Sequence, residues 1–279
     1  MVKQTLQATV KLEILISTMN KTSLDFLKPI FPHHKLENLN ILIINQTEVG
    51  KELKSDFKNI RVINSYQKGL TLSRNMAIEN ALGAICLLAD DDVEYLKDFH
   101  KIVENAFDKF AEAEVILFKI ETFKGEPYKD YPKISKQLTR NSEIKKTSSI
   151  EIAFKRASVL SNKIKFNLNF GLGSYFPSGE EYLFLKEVLD KKLTIFFECE
   201  FIVKHQIERS TSNWAKDDFV KTKAVIYYID YNIFGYFTLI KFIIFLVRKH
   251  MISLSDFIRK YKVGCAGIQS YKNLKNAGL

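Results

Sequence analysis

The stretch Gly83-Ala84-Ile85-Cys86-Leu87-Leu88-Ala89-Asp90-Asp91-Asp92 sets an apolar run directly against three adjacent carboxylates. A short run of this kind, opened by a glycine and closed by acids, reads as a strand buried on both faces. Three neighbouring carboxylates repel one another, so a folded chain tolerates them where a cation holds them or where they are fully solvated. Ligands of open α/β sheets bind outside the carboxyl ends of strands, and the triplet sits at such an end. Alternate side chains of extended chain share a face, so Asp90 and Asp92 can share one hard divalent ion, Mg²⁺ or Mn²⁺, while Asp91 points elsewhere. The competing explanation is the acidic first turn of a helix covering Tyr95 to Phe110.

Outward from this stretch, β-rich runs recur at Leu12 to Ser17, Leu39 to Asn45, Ile60 to Asn64 and Glu114 to Ile120. Longer segments at helical spacing separate them, which implies crossover units and an α/β fold with a mostly parallel sheet. Leu72, Met76, Ala77, Asn80 and Ala81 predict a helix over Leu70 to Leu82, with Gly83 where it stops. From Phe123 to Lys146 the chain turns basic, and Pro127 and Pro132 break regular structure. This is an exposed connection, either plain solvated surface or a grip on substrate. A helix near Ile150 to Leu160, a Gly171-Leu172-Gly173 turn, a helix over Glu180 to Lys191, and strands at Leu193 to Phe197 and Phe201 to His205 follow, so the sheet is mixed.

The whole chain has 279 residues, 46% apolar and 27% charged, which excludes collagen-like, coiled-coil and disordered classes and allows a core without disulfides or metals. Cys86, Cys199 and Cys265 are odd in number and far apart, as reduced thiols of a cytoplasmic protein would be. Met1 to Val10 carries no apolar signal core, again an expectation of a cytoplasmic protein. Forty-two Lys and Arg against 32 Asp and Glu give a net charge of +10, suited to polyanionic partners such as nucleotides, sugar phosphates or anionic lipid. No nucleic-acid-binding module is recognisable, and no GxGxxG follows an early strand, which argues against a nucleic-acid partner and a dinucleotide dehydrogenase. Residues 1–208 are expected to form the catalytic domain and 209–279 a helical, aromatic and basic appendage. Asp230, Asn232 and Lys241 interrupt the apolar segment Ala224 to Val247, against a transmembrane span of about 20 apolar residues. Two alternatives stay open: a helix lying in the membrane interface on the inner face of the cell membrane, and a helical hairpin packed on the main domain.

A second anion-binding signal is Lys68-Gly69-Leu70-Thr71-Leu72-Ser73-Arg74-Asn75, a glycine turn opening a helix that bears an Arg and an Asn. Gly69-Leu70-x-x-Ser73-Arg74-Asn75-x-Ala77 followed by Gly83-Ala84-Ile85-x-Leu87-Leu88-Ala89-Asp90-Asp91-Asp92 resembles family 2 glycosyltransferases of the GT-A fold. Phe170-Gly171-Leu172-Gly173 and Ser178-Gly179-Glu180-Glu181-Tyr182-x-Phe184-Leu185 are similar to that family's acceptor-side loop and "G-E-D-x-x-L" helix start, so the likeness reaches about His205.

The resemblance implies a Rossmann-like mixed, mostly parallel sheet flanked by helices. It implies that Asp90 and Asp92 are the D-x-D pair, contacting donor ribose and metal-bound diphosphate with Asp91 beside them. Arg74 and Asn75 would belong to the donor side, and Gly171, Leu172 and Gly173 to the acceptor. Glu181 would be the general base, with Glu180 as the alternative base or orienting neighbour, although Ser178-Gly179-Glu180-Glu181 also reads as a capping box. His205 would join Asp92 and Asp90 at the metal or serve only the structure. His33 and His34 lack companion ligands and are assigned no role. The family's "P-x-Y-N" and "D-G-S-x-D" segments are replaced here by Ser17-Thr18-Met19-Asn20 and Asn45-Gln46-Thr47-Glu48. Ser17, Thr18, Asn45 and Gln46 therefore stand at the donor, with neutral amides that both donate and accept in place of an acid. The expected activity is an inverting, metal-dependent transfer from a nucleotide-diphosphate sugar to a saccharide or lipid-linked acceptor in polysaccharide or glycolipid synthesis. The rivals are a sugar nucleotidyltransferase and a non-catalytic, membrane-associated nucleotide-sugar-binding subunit.

Overall fold

The structure is a computed structural model that describes residues 10–206 and 214–278. The chain divides into two compact units, one of Met1–Phe166 with Glu181–Ile207 and the other of Asn167–Glu180 with Glu208–Leu279. The segment from 167 to 180 thus belongs with the C-terminal helices, not with the sheet.

In the first unit, β1 (Leu12–Met19), β2 (Ile41–Gln46), β3 (Ile60–Ser65) and β4 (Ile85–Ala89) pair in parallel, in the order β3-β2-β1-β4. All of β2 and β4 and the first seven residues of β1 are buried, which explains their unbroken apolar runs. The short helix α1 (Leu27–Ile30) lies between β1 and β2, and α2 (Leu70–Asn80) connects β3 to β4. The chain then forms β5 (Glu94–Tyr95), α3 (Phe99–Lys109) and β6 (Val115–Glu121). Phe31 stacks on Tyr95 and Phe99 with ring centroids 5.3 and 6.0 Å apart, joining α1, β5 and α3 in one core.

The basic segment contains β7 (Lys136–Leu138) and α4 (Asn141–Ile144), so it is more ordered than its composition suggests. The helix expected over Ile150 to Leu160 is a strand, β8 (Ile152–Lys155), followed by the short α5 (Arg156–Ser161). Ile152, Ala153 and Phe154 are completely buried and run antiparallel between β4 and β6. This packing on both faces overrides the weak helical spacing. After α6 (Glu180–Asp190), the two strands expected at Leu193 to Phe197 and Phe201 to His205 are one, β9 (Ile195–Lys204). Its register against β6 shifts on both sides of Lys119. β7 and β5 pair with β9 in antiparallel fashion, completing a mixed, mostly parallel sheet.

α2 ends at Asn80 with Ala81 already extended, so Gly83 is not the helix stop. A Cβ at Gly83 would lie 2.6 Å from the Glu13 Cβ. Close packing is what requires glycine there. The buried Glu13 carboxylate accepts from the Gly83 N–H at 2.9 Å and from Arg61 Nη2 at 2.8 Å, tying β1, β3 and the α2–β4 turn together.

The second unit holds α7 (Asp217–Tyr231), α8 (Gly235–Arg248) and α9 (Phe257–Asn276). Asn232 adopts φ 51°, and the chain turns back there. Trp214 lies beside Phe245 and Phe219 beside Phe242, at 5.8 and 6.4 Å between ring centroids, so α7 and α8 form an antiparallel hairpin. Val220, Ala224, Leu239, Ile243, Leu246 and Ile268 form its core. Gly264 admits close approach, since a Cβ there would sit 2.5 Å from Leu239. All three cysteines are free thiols; Cys86 is buried, whereas Cys199 and Cys265 are half-buried.

Candidate active site

The parallel register aligns Ile16 with Ala89 and Thr18 with Asn45, so β2, β1 and β4 end at one edge of the sheet. Ser17, Thr18, Asn45, Gln46 and the three aspartates arrive there together. β5 pairs with the end of β9, Glu94 opposite Lys204, and this brings His205 beside Asp92.

Each aspartate has its own partner. Asp90 Oδ1 accepts from Arg74 Nη2 at 3.2 Å and Asp90 Oδ2 from Ser149 Oγ at 2.8 Å. Asp91 Oδ2 lies 3.0 Å from Lys21 Nζ and accepts from Thr18 Oγ1 at 2.5 Å. Asp92 Oδ2 lies 3.5 Å from His205 Nε2, and its side chain is the most open of the three at 66% exposure. His205, first among its influences, holds the Asp92 carboxyl below the ordinary range, and Asp92 in turn raises the His205 imidazole above its ordinary value against the opposing effect of burial.

Arg74 rises from α2 into this edge, with its side chain 4% exposed. While Nη2 reaches Asp90, Nη1 donates to Glu181 Oε1 at 3.0 Å, and the guanidinium lies 5.5 Å from the centre of the Phe166 ring. Glu181 sits in the first turn of α6, 17% exposed. One planar cation therefore joins the end of β4 to the start of α6.

Other residues expected at the donor hold neighbouring backbone in this structure. Asn45 is fully buried; its Oδ1 accepts the Lys21 N–H at 3.0 Å and its Nδ2 donates to Lys21 O at 2.9 Å and Asn64 Oδ1 at 3.0 Å. That amide positions Lys21. Asn75 clamps the Phe166 backbone, donating to its carbonyl and accepting its N–H, both at 2.8 Å. Gln46 Oε1 accepts the Gly69 N–H at 2.7 Å and fixes the turn into α2. Ser17 is buried at the end of β1. Glu180 is buried as well and falls, with Gly171, Leu172 and Gly173, in the second unit. Gly171 and Gly173 have φ 105° and 86°, as a glycine turn requires, and Leu172 is exposed.

Lys21 and Ser149 were not legible as site residues. Lys21 follows the end of β1 by two residues, so the rule that ligands bind at carboxyl strand ends was a usable signal for it. Ser149 stands in a polar stretch with no pattern of its own.

Both Asp90 oxygens are hydrogen-bonded, to Arg74 and Ser149, which leaves Asp92 as the more open carboxylate of the expected Asp90–Asp92 pair. Among the described residues no group of three or more His, Cys, Asp or Glu could hold a metal ion. Asp92 and His205 do fit a cation that takes one or two protein ligands and fills the rest of its shell with phosphate oxygens and water, as Mg²⁺ and Mn²⁺ do.

The sequence model described as glycosyl transferase family 2 matches residues 15–167. Among solved structures, S. aureus TarS 1-349 in complex with UDP aligns with a TM-score of 0.58 at 15% identity, covering 97% of this chain and 92% of that one. The same protein in complex with UDP-GlcNAc gives 0.57 at 15% identity, over 95% and 92% of the two chains. Another S. aureus TarS structure gives 0.56 at 17% identity over 85% of this chain; this chain spans 44% of that one. No curated protein sequence matches. At these identities the likeness is one of fold, and it agrees with the GT-A architecture.

Proposed function

The chain belongs to glycosyltransferase family 2, and from that premise we propose that it moves a sugar from a nucleotide-diphosphate donor to a hydroxyl of a saccharide or lipid-linked acceptor. The likeness to structures holding UDP and UDP-GlcNAc supports a uridine diphosphate donor. The observation that carries the reading is the Arg74 guanidinium, within 3.2 Å of Asp90 and 3.0 Å of Glu181. It fixes two carboxylates with different tasks at a constant separation.

In this reading Glu181 accepts the proton of the acceptor hydroxyl while that oxygen bonds to the anomeric carbon. The bond from that carbon to the diphosphate oxygen breaks, and its electron pair leaves on the nucleoside diphosphate. A single displacement of this kind inverts the anomeric centre. Asp90, oriented by Arg74 and Ser149, faces the donor ribose, and Lys21 brings a cation to the same edge through its pairing with Asp91. Asp92 and His205 would hold Mn²⁺ or Mg²⁺. When bound, that ion supplies positive charge where the leaving diphosphate becomes negative.

Thermal unfolding with UDP and Mn²⁺, paired with a transfer assay, tests the proposal. At about 100-fold excess over Kd a ligand of the folded state adds about 2.7 kcal/mol, a rise in Tm of several degrees. Asp92→Ala is expected to abolish the Mn²⁺-dependent part of that rise and to slow transfer by at least about 10²-fold. Transfer by Asp92→Ala at the wild-type rate overturns the metal assignment. A flat response to UDP and every other nucleoside diphosphate overturns the donor assignment.

A further inference from the structure

α8 turns apolar side chains both inward and outward. Leu239, Ile243 and Leu246 are completely buried in the helical core. The opposite stripe, Phe234, Phe237, Lys241, Ile244 and Arg248, follows the spacing of one helical face and is exposed throughout. Phe234 is 67% exposed, Phe237 60% and Ile244 44%, and the preceding turn adds Ile233 at 60%. Asp217–Arg248 contains an 18-residue window of mean hydropathy 1.5, of which only 22% is buried. A helix of a water-facing bundle shows a polar outer face, so this one is built to be covered.

Three features choose what covers it. α8 has 14 residues, about 21 Å of helix, too short for a hydrocarbon core of about 30 Å, and α7 runs back alongside it. A helix of that length can lie along a bilayer surface but is too short to cross it. Residues 214–278 carry eleven Lys and Arg against four Asp, net +7 of the chain's +10. Finally, Lys241 stands in the middle of the apolar stripe. Protein interfaces are depleted of lysine at their centre, and pairing this stripe with that of a second copy would bury a lysine from each. At a bilayer surface its long stem lies along the acyl boundary while the ammonium reaches a lipid phosphate.

We propose that this face of α8, with the turn before it, docks on an anionic bilayer surface, Ile233, Phe234, Phe237 and Ile244 entering the acyl boundary and Lys241 and Arg248 pairing with phosphates. The inference is independent of the donor chemistry, because none of these residues belongs to the site at the sheet edge.

Flotation of the full chain with vesicles tests it, using phosphatidylglycerol mixed into phosphatidylcholine against phosphatidylcholine alone. Wild type is expected to float with the anionic vesicles and to bind at least tenfold more weakly to neutral ones or at high salt. Phe234→Ser with Phe237→Ser is expected to lose at least tenfold in binding while keeping the wild-type circular dichroism and UDP-induced thermal shift. Lys241→Glu, a milder change at an exposed position, should weaken binding to the anionic vesicles alone. Wild type remaining in the soluble fraction with both vesicles overturns the proposal, as does undiminished binding by both variants. A wild-type dimer that the double substitution converts to monomer, with no vesicle binding by either, overturns it in favour of a second copy of this chain.

Discussion

Arg74 is the residue through which the site is assembled. Its buried guanidinium uses separate nitrogens for Asp90 and Glu181, a task for a planar fork that a lysine ammonium cannot reproduce. Arg74→Lys keeps the charge between the carboxylates but loses the fixed separation. Transfer by this variant is expected to fall on the order of 10²-fold in kcat/KM, about 2.7 kcal/mol, with the fold retained in circular dichroism. A rate within threefold of wild type would remove the bridge from the mechanism. The same residue shows what is legible: "S-R-N" and "D-D-D" put a cation at a helix start and carboxylates at a strand end, and the fold brings Arg74 Nη2 within 3.2 Å of Asp90. Asn45 and Asn75, expected at the donor, fasten backbone in this structure, at Lys21 and Phe166. A buried asparagine fastening a backbone and an asparagine reaching a nucleotide look identical in sequence, and only the partner distinguishes them.

Among the elements, the parallel strands were readable because complete burial leaves an unbroken apolar signature, whereas β8 was not. Ile152-Ala153-Phe154 is too short to display a period, and its identity as a strand comes from the gap between β4 and β6 that it fills. Within the basic segment before it, read from sequence as an exposed connection that is either solvated surface or a grip on substrate, α4 is held by a defined cap. The Glu143 carboxylate accepts from the N–H groups of Thr139 and Arg140, each at 3.1 Å, and from Lys136 Nζ at 2.6 Å. Burial pushes its pKa up, but Lys136, Arg140 and the two backbone donors together bring it down to about 2, from an ordinary 4.5. A depressed carboxylate stabilises the folded state above its unfolded value, and that contribution disappears as pH falls from 4.5 towards about 2. Glu143→Gln is therefore expected to cost about 1–2 kcal/mol at neutral pH, with the gap closing through that acidic window. Urea midpoints of both proteins at a series of pH values check this, and a gap that widens on acidification would contradict the cap.

At the scale of the molecule, the candidate site's edge is built on the strands with most cover. Ile14, Ile16, Ile41, Ile43 and Leu87 are all 1% exposed or less, and β1 is hydrogen-bonded on both sides, by β2 and by β4. β3, by contrast, stands at the sheet's border with four of its six residues only half-buried, and β5 at the other border has two residues. Opening β1 requires breaking both neighbours and the core beneath them, whereas the borders open locally. Native-state hydrogen exchange is accordingly expected to place the slowest amides in β1, β2 and β4, near the global unfolding limit, and faster ones in β3 and β5. A platform of well-covered strands with less buried borders suits a site that must admit and release a nucleotide while Asp90 keeps its place at the end of β4. Adding UDP with Mn²⁺ should therefore slow exchange around Lys21 and Asp90 to Val93 and leave the interior of β2 unchanged. Protection spread evenly over the sheet would mean that the nucleotide stabilises the whole molecule without engaging this edge, and uniform exchange across β1 and β3 would deny the rigid platform itself.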